Sequence, residues 1–264
     1  ALLLGVAAAS GLVAGVTGIV VGLPALRVKG MYLAIATMAF GFIVEEGVAR
    51  AEHITGGNAG KMLGPLEVFG IPIDSELRMY FLTLIVLALV VLGVMNLLRS
   101  PTGRAFVAIR DSEISAQSMG INLARYKTTA FALSAAITGL AGALYAHKLR
   151  FISPEQFTFL QSIELLIILV VGGVGSIYGA IFGAAFWIVV QQLIVLAKDW
   201  LPPGIGQQTG LQPTIFGLIL VAFVLFEPMG LYGRWLKIRT FFQLFPFYRK
   251  GLFRRQKSYM KSER

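Results

Sequence analysis

Apolar residues run through this chain in long unbroken stretches rather than in alternation. Residues 2–23, 31–48, 80–98, 128–146 and 177–196 each come close to the roughly 20 residues that a helix needs to cross hydrocarbon. Residues 160–171 and 215–226 are shorter, and the first of these reads as a tilted, broken or partly re-entrant segment. A membrane interior offers the backbone no water, so a segment there must satisfy its own hydrogen bonds; a β-barrel would show alternation instead. The pattern therefore predicts an all-α integral membrane protein, a multi-span helical bundle with about six or seven membrane segments.

Two polar stretches interrupt the pattern, at 51–78 and at 99–127. The second, RSPTGRAFVAIRDSEISAQSMGINLARYK, is long for a link between spans. Its middle reads as a short helix that Asp111 or Ser112 can cap and that Gly120 can end in a left-handed conformation. A docking helix carried on a cytoplasmic loop has this form, and so does an ordinary amphipathic connector.

Composition agrees with the membrane reading. Of 264 residues, 56% are hydrophobic and 14% charged, with a mean hydropathy of +0.77. Net charge is +10, but ten of the 23 Lys and Arg lie between Arg234 and Arg264 and five more within 99–127. Such flanking clusters follow the positive-inside rule. They place 99–127, the tail, Arg27 and Lys29 in the cytoplasm, with loops 51–78 and 198–213 outside; His147, Lys148 and Arg150 run mildly against this. The chain has no cysteine, which excludes disulfides, thiolate metal sites and cysteine nucleophiles. It opens inside an apolar run without an initiator Met, which reads as a fragment or a chain missing upstream spans.

Small residues form stripes at helical spacing: Gly11, Gly15, Gly18 and Gly22; Ala135, Gly139 and Ala143; Gly175, Gly179 and Gly183. They suit close helix packing, inside the chain or against a partner. Gly172-Gly173-Val174-Gly175-Ser176 lacks the Lys-Ser or Lys-Thr of a phosphate loop, and reads as a turn or broken helix that could line a path. No catalytic constellation is present. His53 and His147 fall in separate loops, there is no His-Glu-x-x-His or Gly-x-Ser-x-Gly, and no metal or cofactor site is expected. Glu45, Glu46, Glu164 and Glu227 lie near segment ends. Glu164 is the candidate for a polar contact along a path or between helices, because charge inside a bilayer is costly. The tail interleaves bases with Phe241, Phe242, Phe245, Phe247, Tyr248 and Phe253, which fits anionic lipid rather than nucleic acid.

These residues together resemble the LivM-type permease subunit of bacterial branched-chain amino-acid ABC importers. The resemblance is carried by GLPALRVKGMYLAIAT at 22–37, TGGN at 55–58, GRA at 103–105 and AIRD at 108–111. It continues with GIN at 120–122, RYK at 125–127, AGALYA at 141–146, SP at 153–154, SIELL at 162–166 and GGVGS at 172–176. It implies a permease domain of the ABC importer type over 1–236, with a cytoplasmic coupling loop at 99–127, and a basic aromatic cytoplasmic tail at 237–264. In that family a loop segment of Glu-Ala-Ala…Gly type seats in a cleft of the ATPase. Here Glu113, Ala116 and Gly120 take comparable places, beside Arg110 and Asp111, with Ser115 where Ala is frequent. The family's N-terminal spans are absent and the tail is longer than the family leads one to expect.

The resemblance further implies transport of leucine, isoleucine and valine across the bacterial inner membrane, with urea or short amides as the nearest alternative and an ion-coupled transporter as a more distant one. Two ATP-binding subunits would hydrolyse ATP, a LivH-type sister permease would pair across glycine-rich faces, and a periplasmic binding protein would dock outside. From the residues themselves, Glu164, Gly172, Gly173 and Gly175 are the candidates for path or helix-contact positions.

Overall fold

The computed structural model describes residues 2–25, 31–64, 66–68, 71–73, 75–198, 211–226 and 230–244. Arg27, Lys29, Glu227, the segment 199–210 and the tail beyond 244 lie outside the described residues. Each of the seven apolar runs is a helix: α1 (Leu2–Ala25), α2 (Met31–Arg50), α4 (Glu76–Arg99), α7 (Leu123–Leu149), α8 (Phe159–Gly172), α9 (Ile177–Lys198) and α10 (Leu211–Phe226). Between them lie α3 (Glu52–Thr55), α5 (Pro101–Asp111) and α6 (Glu113–Ser118), and α11 (Gly230–Leu244) follows. Among the described residues, four helical stretches are long and apolar enough to cross a membrane: Glu76–Arg99, Leu123–Leu149, Pro154–Gly172 and Ile177–Leu196. The described residues are not wholly helical: among them four short strands, β1 (Lys61–Met62), β2 (Leu66–Val68), β3 (Ile71–Ile73) and β4 (Phe151–Ile152), form two small ladders.

The chain divides into two compact units, 1–159 and 160–264. The boundary expected at 236 falls within α11.

In the first unit, α1 lies along α7, and their small-residue stripes face each other. A Cβ on Gly11 would stand 3.3 Å from the Ala136 carbonyl oxygen, and one on Gly139 would stand 2.6 Å from that of Ser10. Lipid supplies no hydrophobic drive to join two apolar helices, so close backbone approach and its dispersion contacts do so. These two stripes are thus occupied inside the chain and are not open to a sister permease, which corrects the expectation for those faces.

The opposite end of α7 from the 99–127 loop carries a small cap. β4 pairs antiparallel with β1, Lys61 opposite Ile152 and Met62 opposite Phe151, and the Leu63 amide donates to the Arg150 carbonyl at 2.9 Å. Gly60 precedes this ladder at φ 71°, and a Cβ there would sit 2.7 Å from the Ile152 carbonyl. Before it, the TGGN segment forms a tight turn. Thr55 Oγ1 lies 2.8 and 2.9 Å from the carbonyls of Val48 and Ala51 and accepts from the Gly57 amide at 3.1 Å. The 51–78 and 151–152 segments therefore share one side of the unit, as alternation of the spans requires.

In the second unit α8 and α9 form a hairpin. A Cβ on Gly183 would overlap the Ile168 carbonyl and stand 3.1 Å from Gly172 Cα, so the helices meet backbone to backbone. Below the glycines, Ile167 and Val171 pack with Val190 and Ile194, and Phe223 of α10 meets Phe186 edge-on at 5.6 Å. Tyr232 of α11 stacks on Tyr178 at 6.1 Å.

Adding a large side chain at such a seam costs about 1–3 kcal/mol through forced displacement. Gly139→Leu and Gly183→Leu are each expected to lower the thermal unfolding midpoint of the purified protein. Gly41→Ala, where a Cβ meets nothing within 4 Å, should leave it unchanged or raise it slightly through better helix propensity. Equal midpoints for all three would remove the glycine seams from the account.

Candidate functional site

The 99–127 loop is a folded helical unit rather than a strap. Ser100 ends α4 in extended backbone (φ −73°, ψ 167°) and caps α5, its Oγ accepting from the Gly103 amide at 3.3 Å, with Pro101 at the first helical position. Pro fits there because its missing N–H would have had no partner in the first turn. Gly103 is buried in this corner, where a Cβ would overlap the backbone of Leu97 and Leu98. Ala105 and Ile109 form the buried face of α5, and Phe106 meets Tyr126 of α7 edge-on at 6.2 Å. The sequence pattern located the short helix of this loop but not α5.

Ser112, not Asp111, caps the next helix. It is extended (φ −161°, ψ 113°), and its Oγ accepts from the Ser115 amide at 3.3 Å. α6 ends in a Schellman motif: the Gly120 amide donates to Gln117 and the Ile121 amide to Ala116, at 3.0 and 3.1 Å. Gly120 holds φ 82° with open space where a Cβ would stand, so glycine is there for its backbone and not for room. Asn122 then caps α7 through its Oδ1, which accepts from the Arg125 amide at 3.1 Å.

The expected coupling residues separate into distinct roles. Ala116 is 1% exposed and packs into the loop itself. Glu113 Oε1 accepts from Lys127 Nζ at 2.7 Å, tying α6 to the first turns of α7. Arg110 contacts Asp111 Oδ1 at 3.1 Å through both Nε and one terminal nitrogen, in the open. Ile114 and Met119 also stand outward, each 81% exposed, among the exposed polar residues Ser115, Gln117 and Ser118. The sequence carried that signal, since Ile114 and Met119 are large apolar residues in an otherwise largely polar stretch.

The expected path residues lie in the second unit. Gly172, Gly173 and Gly175 form the reversal between α8 and α9, with Gly173 at φ 118° and Gly175 at φ 89°. Ser176 caps α9, its Oγ accepting from the Gly179 amide at 3.2 Å. Gly175 thus belongs to the turn, and the packing stripe is Gly172, Gly179 and Gly183. The turn is further closed by Gly230, whose added Cβ would stand 2.6 Å from the Gly173 amide nitrogen. Glu164 is half-buried on α8. It shares a helical row with Ile168 and Gly172, the row that meets α9, and has no ion pair or hydrogen bond among the described residues.

On the cap side, a recess of about 300 Å³ is lined by Glu45 and Glu46 of α2, with Asn58 and Glu155. Glu46 accepts from Arg50 Nε at 2.7 Å. The histidines are not in loops: His53 is in α3, and His147 is in the last turn of α7, where its Nδ1 donates to the Ala143 carbonyl at 2.8 Å. Among the described residues no group of three or more His, Asp or Glu is arranged to hold a metal ion.

LivM, the high-affinity branched-chain amino acid transport system permease protein, is 36% identical over 246 residues in both Salmonella typhimurium and Escherichia coli K12, covering 84% of this chain. A probable LivM permease of Methanocaldococcus jannaschii is 26% identical over 231 residues, covering 83% of this chain and 66% of its own. The autoinducer 2 import permease LsrC of Enterobacter sp. 638 is 28% identical over 118 residues, 43% of this chain and 34% of its own. This chain spans about half the length, 55%, of the two LivM proteins. No solved structure matches it. These relatives are transport permeases rather than enzymes, and their likeness, with the apolar helices, makes this a multi-pass membrane protein. Residues 1–226 match the family described as branched-chain amino acid transport system, permease component, and the chain belongs to that family.

Proposed function

We propose that the chain forms part of the permease of an ABC importer that carries leucine, isoleucine and valine across the bacterial inner membrane, with ATP hydrolysed by two separate subunits. The observation that carries the reading is the 99–127 unit: two capped helices fixed to the start of a membrane helix, with Ile114 and Met119 outward. A rigid body of this kind transmits a push, and its apolar tip needs a cleft in a partner. α1, α2, α4, α7, α8, α9 and α10 are then the membrane segments, seven in this chain, with 99–127 in the cytoplasm and the acidic recess outside, on the face toward a periplasmic binding protein. The sister permease of LivH type packs on faces other than the α1–α7 seam, and the basic tail lies on anionic lipid.

Alternating access in this scheme moves α7 with its loop. Selectivity resides mostly in the binding protein, because telling one methylene from none in an apolar site is worth only about 1–3 kcal/mol. Glu164 supplies a polar contact next to the α8–α9 hairpin, whose turn at Gly172, Gly173 and Gly175 lies beside the path.

Coupling is tested at the loop surface. Ile114→Asp with Met119→Asp should insert and fold normally yet uncouple ATP hydrolysis from uptake, lowering transport at least tenfold while hydrolysis persists. Gly120→Val should do the same by opposing the left-handed backbone, at a cost of about 1–2 kcal/mol, and Gly120→Asn should be milder. Glu113→Lys should impair coupling by facing Lys127, and adding Lys127→Glu should restore it. Normal uptake by the Ile114/Met119 double variant would refute docking through this surface.

Substrate is tested by uptake of labelled leucine and labelled urea into vesicles holding the complete transporter and its binding protein. Leucine, isoleucine and valine should enter with modest differences, lysine and glutamate should not, and Glu164→Ala should slow leucine entry severalfold. Urea uptake without leucine uptake would overturn the substrate and leave the permease reading intact; unchanged leucine uptake by Glu164→Ala would remove that residue from the path.

A further inference from the structure

α4 is very apolar, yet no residue of it is buried within the chain. It touches α7 only lightly, and a groove of about 330 Å³ runs between them. Val86 of α4 and Leu140 and Leu144 of α7 form its walls. At one end stand Met79 and Lys148; at the other stand Val90 and Ile137. Each side thus spans twelve helical residues, eleven steps or about 16 Å at 1.5 Å per residue. That is roughly half of a 30 Å hydrocarbon core, so the groove is one leaflet deep.

Its open end is marked as an interface. Tyr145 lines the groove one turn before Lys148 and is 40% exposed, and Tyr80 at the start of α4 is 60% exposed. Tyrosines collect at headgroup level, where the ring is in hydrocarbon and the hydroxyl in water. The Lys148 ammonium stands at the same level and makes no ion pair among the described residues. A lysine there extends its charge toward the headgroups while its stem stays in the apolar groove.

We propose that this groove holds one acyl chain of an anionic phospholipid, in the leaflet opposite the 99–127 loop, with the lipid phosphate on Lys148. The shape argues for an unbranched chain of leaflet depth, and Lys148, the one charged residue lining the groove among the described residues, argues for an anionic head. The site wedges lipid between α4 and α7, so it joins the helix entering the loop to the helix leaving it. The inference rests on α4 and α7 crossing a membrane and not on what the chain transports, so its outcome is separate from that of the uptake experiments.

The complete transporter is reconstituted in nanodiscs of phosphatidylglycerol and phosphatidylcholine in equal parts, and the lipids retained after release are counted by native mass spectrometry. The unmodified protein should retain phosphatidylglycerol in preference to phosphatidylcholine. Lys148→Gln should lower retained phosphatidylglycerol roughly fivefold, the equivalent of about 1 kcal/mol for one Lys near an anionic surface, and Lys148→Arg should keep it. Ala141→Phe, which fills the groove from an exposed position, should lower retention of both lipids, so the test does not hang on one variant. Equal retention of the two lipids by the unmodified protein, or retention unaffected by both Lys148→Gln and Ala141→Phe, would overturn the proposal. So would a photoreactive residue at Leu87 that captures a protein subunit instead of phospholipid.

Discussion

Everything in the first unit depends on how closely α1 approaches α7. Two apolar helices gain nothing from hiding from lipid, which is as apolar as they are. What holds them is contact at a distance that only small residues permit, such as the 2.6 Å that a Cβ on Gly139 would leave to the Ser10 carbonyl. That seam fixes α7 as a post. The loop is built on the first turns of the post, through Phe106 on Tyr126 and Glu113 on Lys127, and the β1–β4 ladder is built just beyond its last turn. α7 therefore links the surface proposed to meet the ATPase with the side proposed to meet the binding protein.

The loop is stiff for local reasons. Three caps, from Ser100, Ser112 and Asn122, satisfy amides that would otherwise lack partners at three helix starts, each worth about 1 kcal/mol. The Schellman turn at Gly120 closes α6 and turns the chain back toward α7. Ala116 is buried within this architecture and Glu113 ties it to α7, while Ile114 and Met119 face outward.

The helices were legible because a span is a local property: each apolar run became one, including the short 160–171 run. Gly120 was legible too, since a glycine after a polar helix needs only its own backbone to make sense. Pairings between distant segments were not. Nothing in the stripe at Gly11–Gly22 says that its complement is at Gly139, and Gly175 shared the helical spacing although it lies in a turn. The family motif put Ala116 among the coupling residues, but its burial within the loop depends on packing that motif spacing does not show. β1 and β4 are two residues each, too short for any alternation to announce them, and they exist because the ends of α2 and α7 bring them together.

The central claim is that the Ile114–Met119 surface seats on an ATP-binding subunit. The direct measurement places a photoreactive amino acid at Met119, at Ile114 and, as the opposite-side control, at Asn58, in cells that make the complete transporter. Irradiation should join Met119 and Ile114 to the ATP-binding subunit and should leave Asn58 unattached to it. Attachment from Asn58, or none from either loop position in a transporter that is active, would contradict the account.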